Sequence, residues 1–259
     1  MKIRVLLSIL LFALFAISCK SKPAVEKGNL RFLANGEGFV ANGFTDKTGW
    51  KIEFTKVIVN LTDISVLSKD GAITVNLPGV FPTDLKKGAD ATVSVGEVQN
   101  VNATEYRRLK WSVKRMTEGE YNGYSMVLMG TAVKAGKKIT FTIKLDEEVT
   151  WDAKDGYSGE KVKGIVKKGQ TGEVEMTFHW DHVFGDKSQA LTHHVNKGAV
   201  GFDFFARFAK NNVVDINQQE LKEKGKDLYK MLIVSIHNMG HSGEGHAAVV
   251  SSTTPVSAQ

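Results

Sequence analysis

Along residues 30–181, apolar and polar side chains alternate with a period of two, the signature of strands that lay one face on a core. WKIEF sets Trp50, Ile52 and Phe54 on one face, and VIVNL sets Val57, Val59 and Leu61 there. The phase slips at Lys56, as a β-bulge would make it. The alternation continues in AITVNL (72–77), ATVSV (91–95), RLKWSV (108–113), YSMVLM (124–129), KITFTIKL (138–145) and EVEMTFHWD (173–181). Turn formers stand between these segments: Lys69-Asp70-Gly71, Glu118-Gly119, Asn122-Gly123, Ala135-Gly136 and Asp155-Gly156. Strands at this spacing, with no long helical period among them, predict a mainly β protein whose residues 30–185 form an antiparallel β-sandwich.

After Asp181 the pattern changes. DKSQALTHH (186–194) has Asp186 and Gln189 in capping-box positions for a short helix. AVGFDFFARFAK (199–210) spaces Val200, Phe204 and Phe208 at helical intervals, with Phe205 beside them, which predicts an apolar stripe docked on the sandwich. Residues 217–240 predict the longest helix, capped by Asn217 with Glu220 at its third position, carrying Leu221, Leu228 and Leu232 on one face and stopping at Gly240. Residues 186–246 thus read as a helical, histidine-rich C-terminal appendage packed on the sandwich, and 247–259 as a disordered tail. The stretch before Glu220 imitates the end of a calcium-binding EF-hand loop. Aligned on Glu220, however, Ala209, Val213 and Val214 occupy positions that need a carboxylate, a ligand and a glycine, so the stretch is a helix cap.

The order GWKIEFTKVIVNLTDI, EYRRLKWSV and GTAVKAGKKITFTIKLDEEV, over roughly residues 45–150, resembles the transthyretin-like β-sandwich domain of uncharacterised bacterial lipoproteins. The resemblance implies a fold and brings no activity with it. The N-terminus adds a second resemblance. MKIRVLLSILLFALFAISC has basic Lys2 and Arg4, an apolar run over residues 5–17 too short to span a bilayer, and small residues before Cys19, the only cysteine of the chain. Ala16-Ile17-Ser18-Cys19 resembles the bacterial lipobox, which implies that residues 1–18 are a signal peptide and that Cys19 carries lipid. The alternative is an ordinary signal peptide with Cys19 at its cleavage site. Lys20 follows the cysteine, which resembles outer-membrane sorting in a Gram-negative host. Residues 19–29 read as a polar tether.

A chain of 259 residues with 42% hydrophobic content is long enough to bury a substantial core. The net charge of +6 includes Lys2 and Arg4 in the segment expected to be removed, and the lysines are scattered. Nothing supports nucleic-acid binding.

The seven histidines all follow residue 178: His179, His182, His193, His194, His237, His241 and His246. Strand alternation faces His179 and Asp181 the same way, about 7 Å apart, and a turn at the strand end brings His182 round to them. HNMGHSGEGH (237–246) supplies His237, His241 and His246 among glycines that let the backbone fold tightly. Imidazole and carboxylate suit zinc and its first-row neighbours, and three or four ligands are needed. The candidate metal residues are therefore His179, Asp181, His182, His193, His194, His237, His241 and His246, with Glu244 as a hydrogen-bonding partner or base. Zinc is the first choice, and copper is the rival because Met239 lies between His237 and His241.

The pattern predicts an envelope lipoprotein that binds a transition metal for acquisition, storage or sensing. A non-enzymatic adhesion or scaffold module with an envelope protein partner is the alternative. A metal-dependent hydrolase using Asp181 or Glu244 as base ranks third, since no HExxH helix, GxSxG elbow or phosphate loop is present.

Overall fold

In the computed structural model, which describes residues 25–88 and 90–255, the alternating segments pair into two sheets that pack on each other. The elements in chain order are β1 (Lys27–Asn35), α1 (Glu37–Asn42), β2 (Phe44–Thr45), β3 (Lys51–Ser68), β4 (Thr74–Asp84), β5 (Thr92–Asn102), β6 (Tyr106–Val113), β7 (Met126–Lys134), β8 (Lys137–Leu145), β9 (Val149–Ala153) and β10 (Thr171–Phe178). There follow α2 (Asp181–Phe184), α3 (His194–Gly198), α4 (Phe202–Ala206), β11 (Val213–Asn217), α5 (Gln218–Gly225), α6 (Asp227–Asn238), β12 (Gly240–Ser242), β13 (Gly245–His246) and β14 (Ala248–Ser252). The protein is a mainly β sandwich whose helices, apart from α1, lie near the C-terminus. Residues 1–18, expected to be a signal peptide, Cys19 and most of the stretch expected to be a tether lie outside the described residues, as do residues 256–259.

One sheet has the order β13-β12-β10-β1-β5 and the other β11-β8-β7-β3-β6-β9-β14, with β2 and β4 also on β3. β3 is 18 residues long, so it can pair with β7 along its first half and β6 along its second. Its register against β7 shifts between Phe54 and Lys56, where the alternation slips in the sequence. Most pairings are antiparallel, but β1 runs parallel to β10 and β11 parallel to β8. Alternation marks which face of a strand is buried and carries no information about the direction of its neighbour, so these two pairings have no signal in it.

The core joins both sheets and the C-terminal helices. Trp111 stacks on Trp151 at 5.9 Å, Phe178 meets Trp151 edge-on at 5.9 Å, and Phe202 lies 5.2 Å from Phe141. Burial of rings of this size contributes roughly 2–3 kcal/mol each in transfer free energy. Phe204 and Phe205 are fully buried and Phe208 packs against the core edge, as the stripe predicts, although the helix there is a single short turn.

Three expectations need correction. No helix spans 186–192: Asp186 accepts from the backbone and hydroxyl of Ser188, and Asn196 donates to the carbonyls of Asp186, Gln189 and Ala190, which holds a turn and delays the helix to His194. The long helix starts on its Asn217–Glu220 capping box but breaks at Lys226, whose φ is 49°. The break falls where Gly225 comes against the Phe204 ring, 2.8 Å from where a Cβ would sit. The tail is ordered at least to Pro255: β14 pairs with β9, and Thr254 donates to the buried carboxylate of Glu147. The appendage and the tail are therefore woven into both sheets, the appendage through β11 and β12 and the tail through β14.

Candidate metal centre

β10 is the third strand of its sheet and is covered on both faces, so Glu175, Thr177 and His179 are buried along with Val174, Met176 and Phe178. The expected solvent face is thus an inner face. β12 pairs with its end, setting Thr177 opposite His241 and Phe178 opposite Gly240, and the His179 amide donates to the Met239 carbonyl at 2.9 Å. At Trp180 the backbone turns into helical conformation, and the His182 amide donates back to the His179 carbonyl at 3.1 Å. Strand pairing supplies His241 and a local turn supplies His182, so both converge on His179.

The three rings lie in contact: His179 and His241 stack with centroids 3.9 Å apart, His182 is 5.2 Å from His241, and His179 and His182 are 6.0 Å apart. One nitrogen from each lies within 4.8 Å of the others. Zinc-bound imidazole nitrogens stand about 3.4 Å apart, so closing the group on an ion requires the stacked rings of His179 and His241 to tilt apart until their in-plane lone pairs converge. Exposure is 7% at His179, 9% at His182 and 2% at His241. This buried group could hold a metal ion.

Hydrogen bonds select the ligating atoms. His241 Nε2 lies 3.2 Å from the Asn238 carbonyl and His179 Nε2 lies 3.2 Å from the Gly243 carbonyl. A carbonyl only accepts, so both rings carry their proton on Nε2 and present a bare lone pair at Nδ1. In His241 that Nδ1 is buried without any hydrogen-bond partner. A buried polar atom left in this way is costly unless something outside the protein completes it.

The surroundings hold the three imidazoles neutral. Burial, then the neighbouring imidazoles, push His182 down to about 4 and His241 down to about 2; burial also lowers His179. All three are neutral at pH 7, the form that binds metal. Carboxylates around them are held up: Glu37 is raised to about 7 by burial and then by Glu244 and Asp181, and Asp181 is raised to about 6, mainly by burial. Glu37 Oε1 lies 3.4 Å from His179 Nε2. Glu37 has no sequence signal, because its place depends on β1 running parallel to β10 with Asn35 level with Thr177, which brings position 37 level with 179.

The other candidates separate. Asp181 opens α2 instead of continuing the strand alternation; its Oδ1 is buried and unpaired, and it is not one of the three converging groups. His237 is committed elsewhere: its Nε2 lies 3.0 Å from Glu147 Oε1, and its carbonyl accepts from Trp151 Nε1 at 2.7 Å. Glu147 is the missed partner, fully buried between His237, Gln218 and Thr254. His246 is exposed and directly opposite His241 in the β12–β13 pair, with rings 4.2 Å apart and His182 at 5.7 Å. His194 is exposed 6.4 Å from His182, and His193 lies 4.2 Å from His194. Glu244 is exposed in the β12–β13 turn. Comparisons with protein-family models, curated proteins and solved structures find nothing that matches this chain.

Proposed function

We propose that this protein is a metal-binding protein of the cell envelope, holding a transition metal, zinc first and copper as the rival, on His179, His182 and His241. The observation that carries the reading is the unpartnered, buried Nδ1 of His241 inside a group of three neutral imidazoles. The pattern over residues 1–19 supports lipid anchoring at Cys19. The site is built for capture more than for turnover. Two nearby cavities, of about 440 and 390 Å³, reach Glu37 and His246 respectively, and neither is lined by any of the three histidines. Acquisition, storage or sensing fits a buried ion that is exchanged slowly.

The test is a thermal melt of the purified protein with Zn²⁺ and Cu²⁺. A ligand at a hundred times its Kd stabilises the fold by about 2.7 kcal/mol, which for a chain of this size raises the melting temperature by roughly 5–10 °C. The shift should vanish in H179A/H241A. An unchanged melt with every first-row metal would contradict the reading.

A further inference from the structure

The three histidines are almost wholly buried, so an ion from solvent must exchange its water shell for protein ligands before it reaches them. Two exposed imidazoles stand where the first exchange can occur. His246 lies 5.7 Å from His182 and 4.2 Å from His241 across the β12–β13 pair, and His194 lies 6.4 Å from His182 at the start of α3. His182 belongs to both groups, since it is also 5.2 Å from His241 inside. His193, 4.2 Å from His194, has a buried Nδ1 with no partner.

We propose that His246 and His194 form an outer station that takes a metal ion from solvent and passes it through His182 to the buried group. The proposal rests on the reading that His179, His182 and His241 hold the ion. At each step an incoming imidazole nitrogen bonds to the metal as a water or an outer imidazole leaves, with no change of oxidation state. Because His182 is shared, the ion need not be released between stations.

Groups that assist passage without holding the final ion lower the barrier in both directions and leave the equilibrium alone. The experiment therefore separates rate from affinity. Zn²⁺ affinity is measured by competition with a chromogenic chelator, and association and chelator-driven release by stopped flow, on the purified full chain and on H194A, H246A, H194A/H246A and H241A. Both outer residues are exposed, so the metal-free melting temperature of the double variant should match wild type. The double variant is expected to keep the wild-type Kd while association and release both slow by on the order of tenfold. Each single variant should slow them less. Wild-type rates in the double variant overturn the station, and so does a collapse of its affinity, which would make the outer pair ligands of the inner site. If H241A binds as tightly as wild type, or wild type binds no Zn²⁺, the underlying reading fails with it.

Discussion

At the scale of single residues, what distinguishes this site is the partner of each imidazole. Asn238 and Gly243 offer carbonyls 3.2 Å from the Nε2 atoms of His241 and His179, and that contact decides which nitrogen keeps a bare lone pair. The same burial that strips these rings of water has a cost in acid. Below pH 6.5 an unfolded chain protonates His182, whereas the folded, metal-free protein resists until about 4. Stability that is present above pH 6.5 is therefore lost as the pH falls through this window, by up to roughly 3 kcal/mol from His182. Glu37, raised to about 7, acts oppositely: its contribution is present below 4.5 and is lost as the pH rises towards 7. The melting temperature of metal-free H182Q should consequently fall less steeply between pH 6.5 and 4.5 than that of wild type. Equal slopes would show that His182 is not held neutral by its surroundings.

At the scale of elements, the site depends on how tightly β12 and its turn sit against β10. Gly243 has φ of 60°, and a Cβ there would lie 2.0 Å from the Ser158 carbonyl oxygen. Its amide donates to Thr177 Oγ1 at 3.0 Å while its carbonyl orients His179. G243A is expected to destabilise the protein by about 1–3 kcal/mol and to weaken metal binding by roughly 10- to 100-fold, readable in a urea melt and a chelator competition. Unchanged affinity would mean that the turn does not position His179. Several elements are legible from the sequence: the strands, the bulge beside Lys56 and the Asn217 cap come from local periodicity and local hydrogen bonds. The break at Lys226 and the strand at 248–252 are not, because a ring from α4 and pairing with β9 decide them.

At the scale of the molecule, the chain returns to its own sandwich to complete the site. Residues 240–246 extend the sheet built on β1 and β10, while 248–252 cross to the edge of the other. The pairing of HWDH at 179–182 with the loop at 241–246 was readable because histidines concentrate in these two segments. Which members converge was not readable. His237 is drawn off by Glu147, a residue ninety positions earlier that only the packing of α6 against the β8–β9 connection brings near. Asp181 opens α2 instead of continuing the strand alternation, and it is not one of the three converging groups. The central claim is that His179, His182 and His241 share one ion. The most direct measurement is an anomalous difference map at the zinc edge from crystals of the untagged protein grown with Zn²⁺. The account predicts its strongest peak about 2.1 Å from one ring nitrogen of each of the three, and from Nδ1 in His179 and His241. A map with no peak there, or with zinc only at His193 and His194, contradicts it.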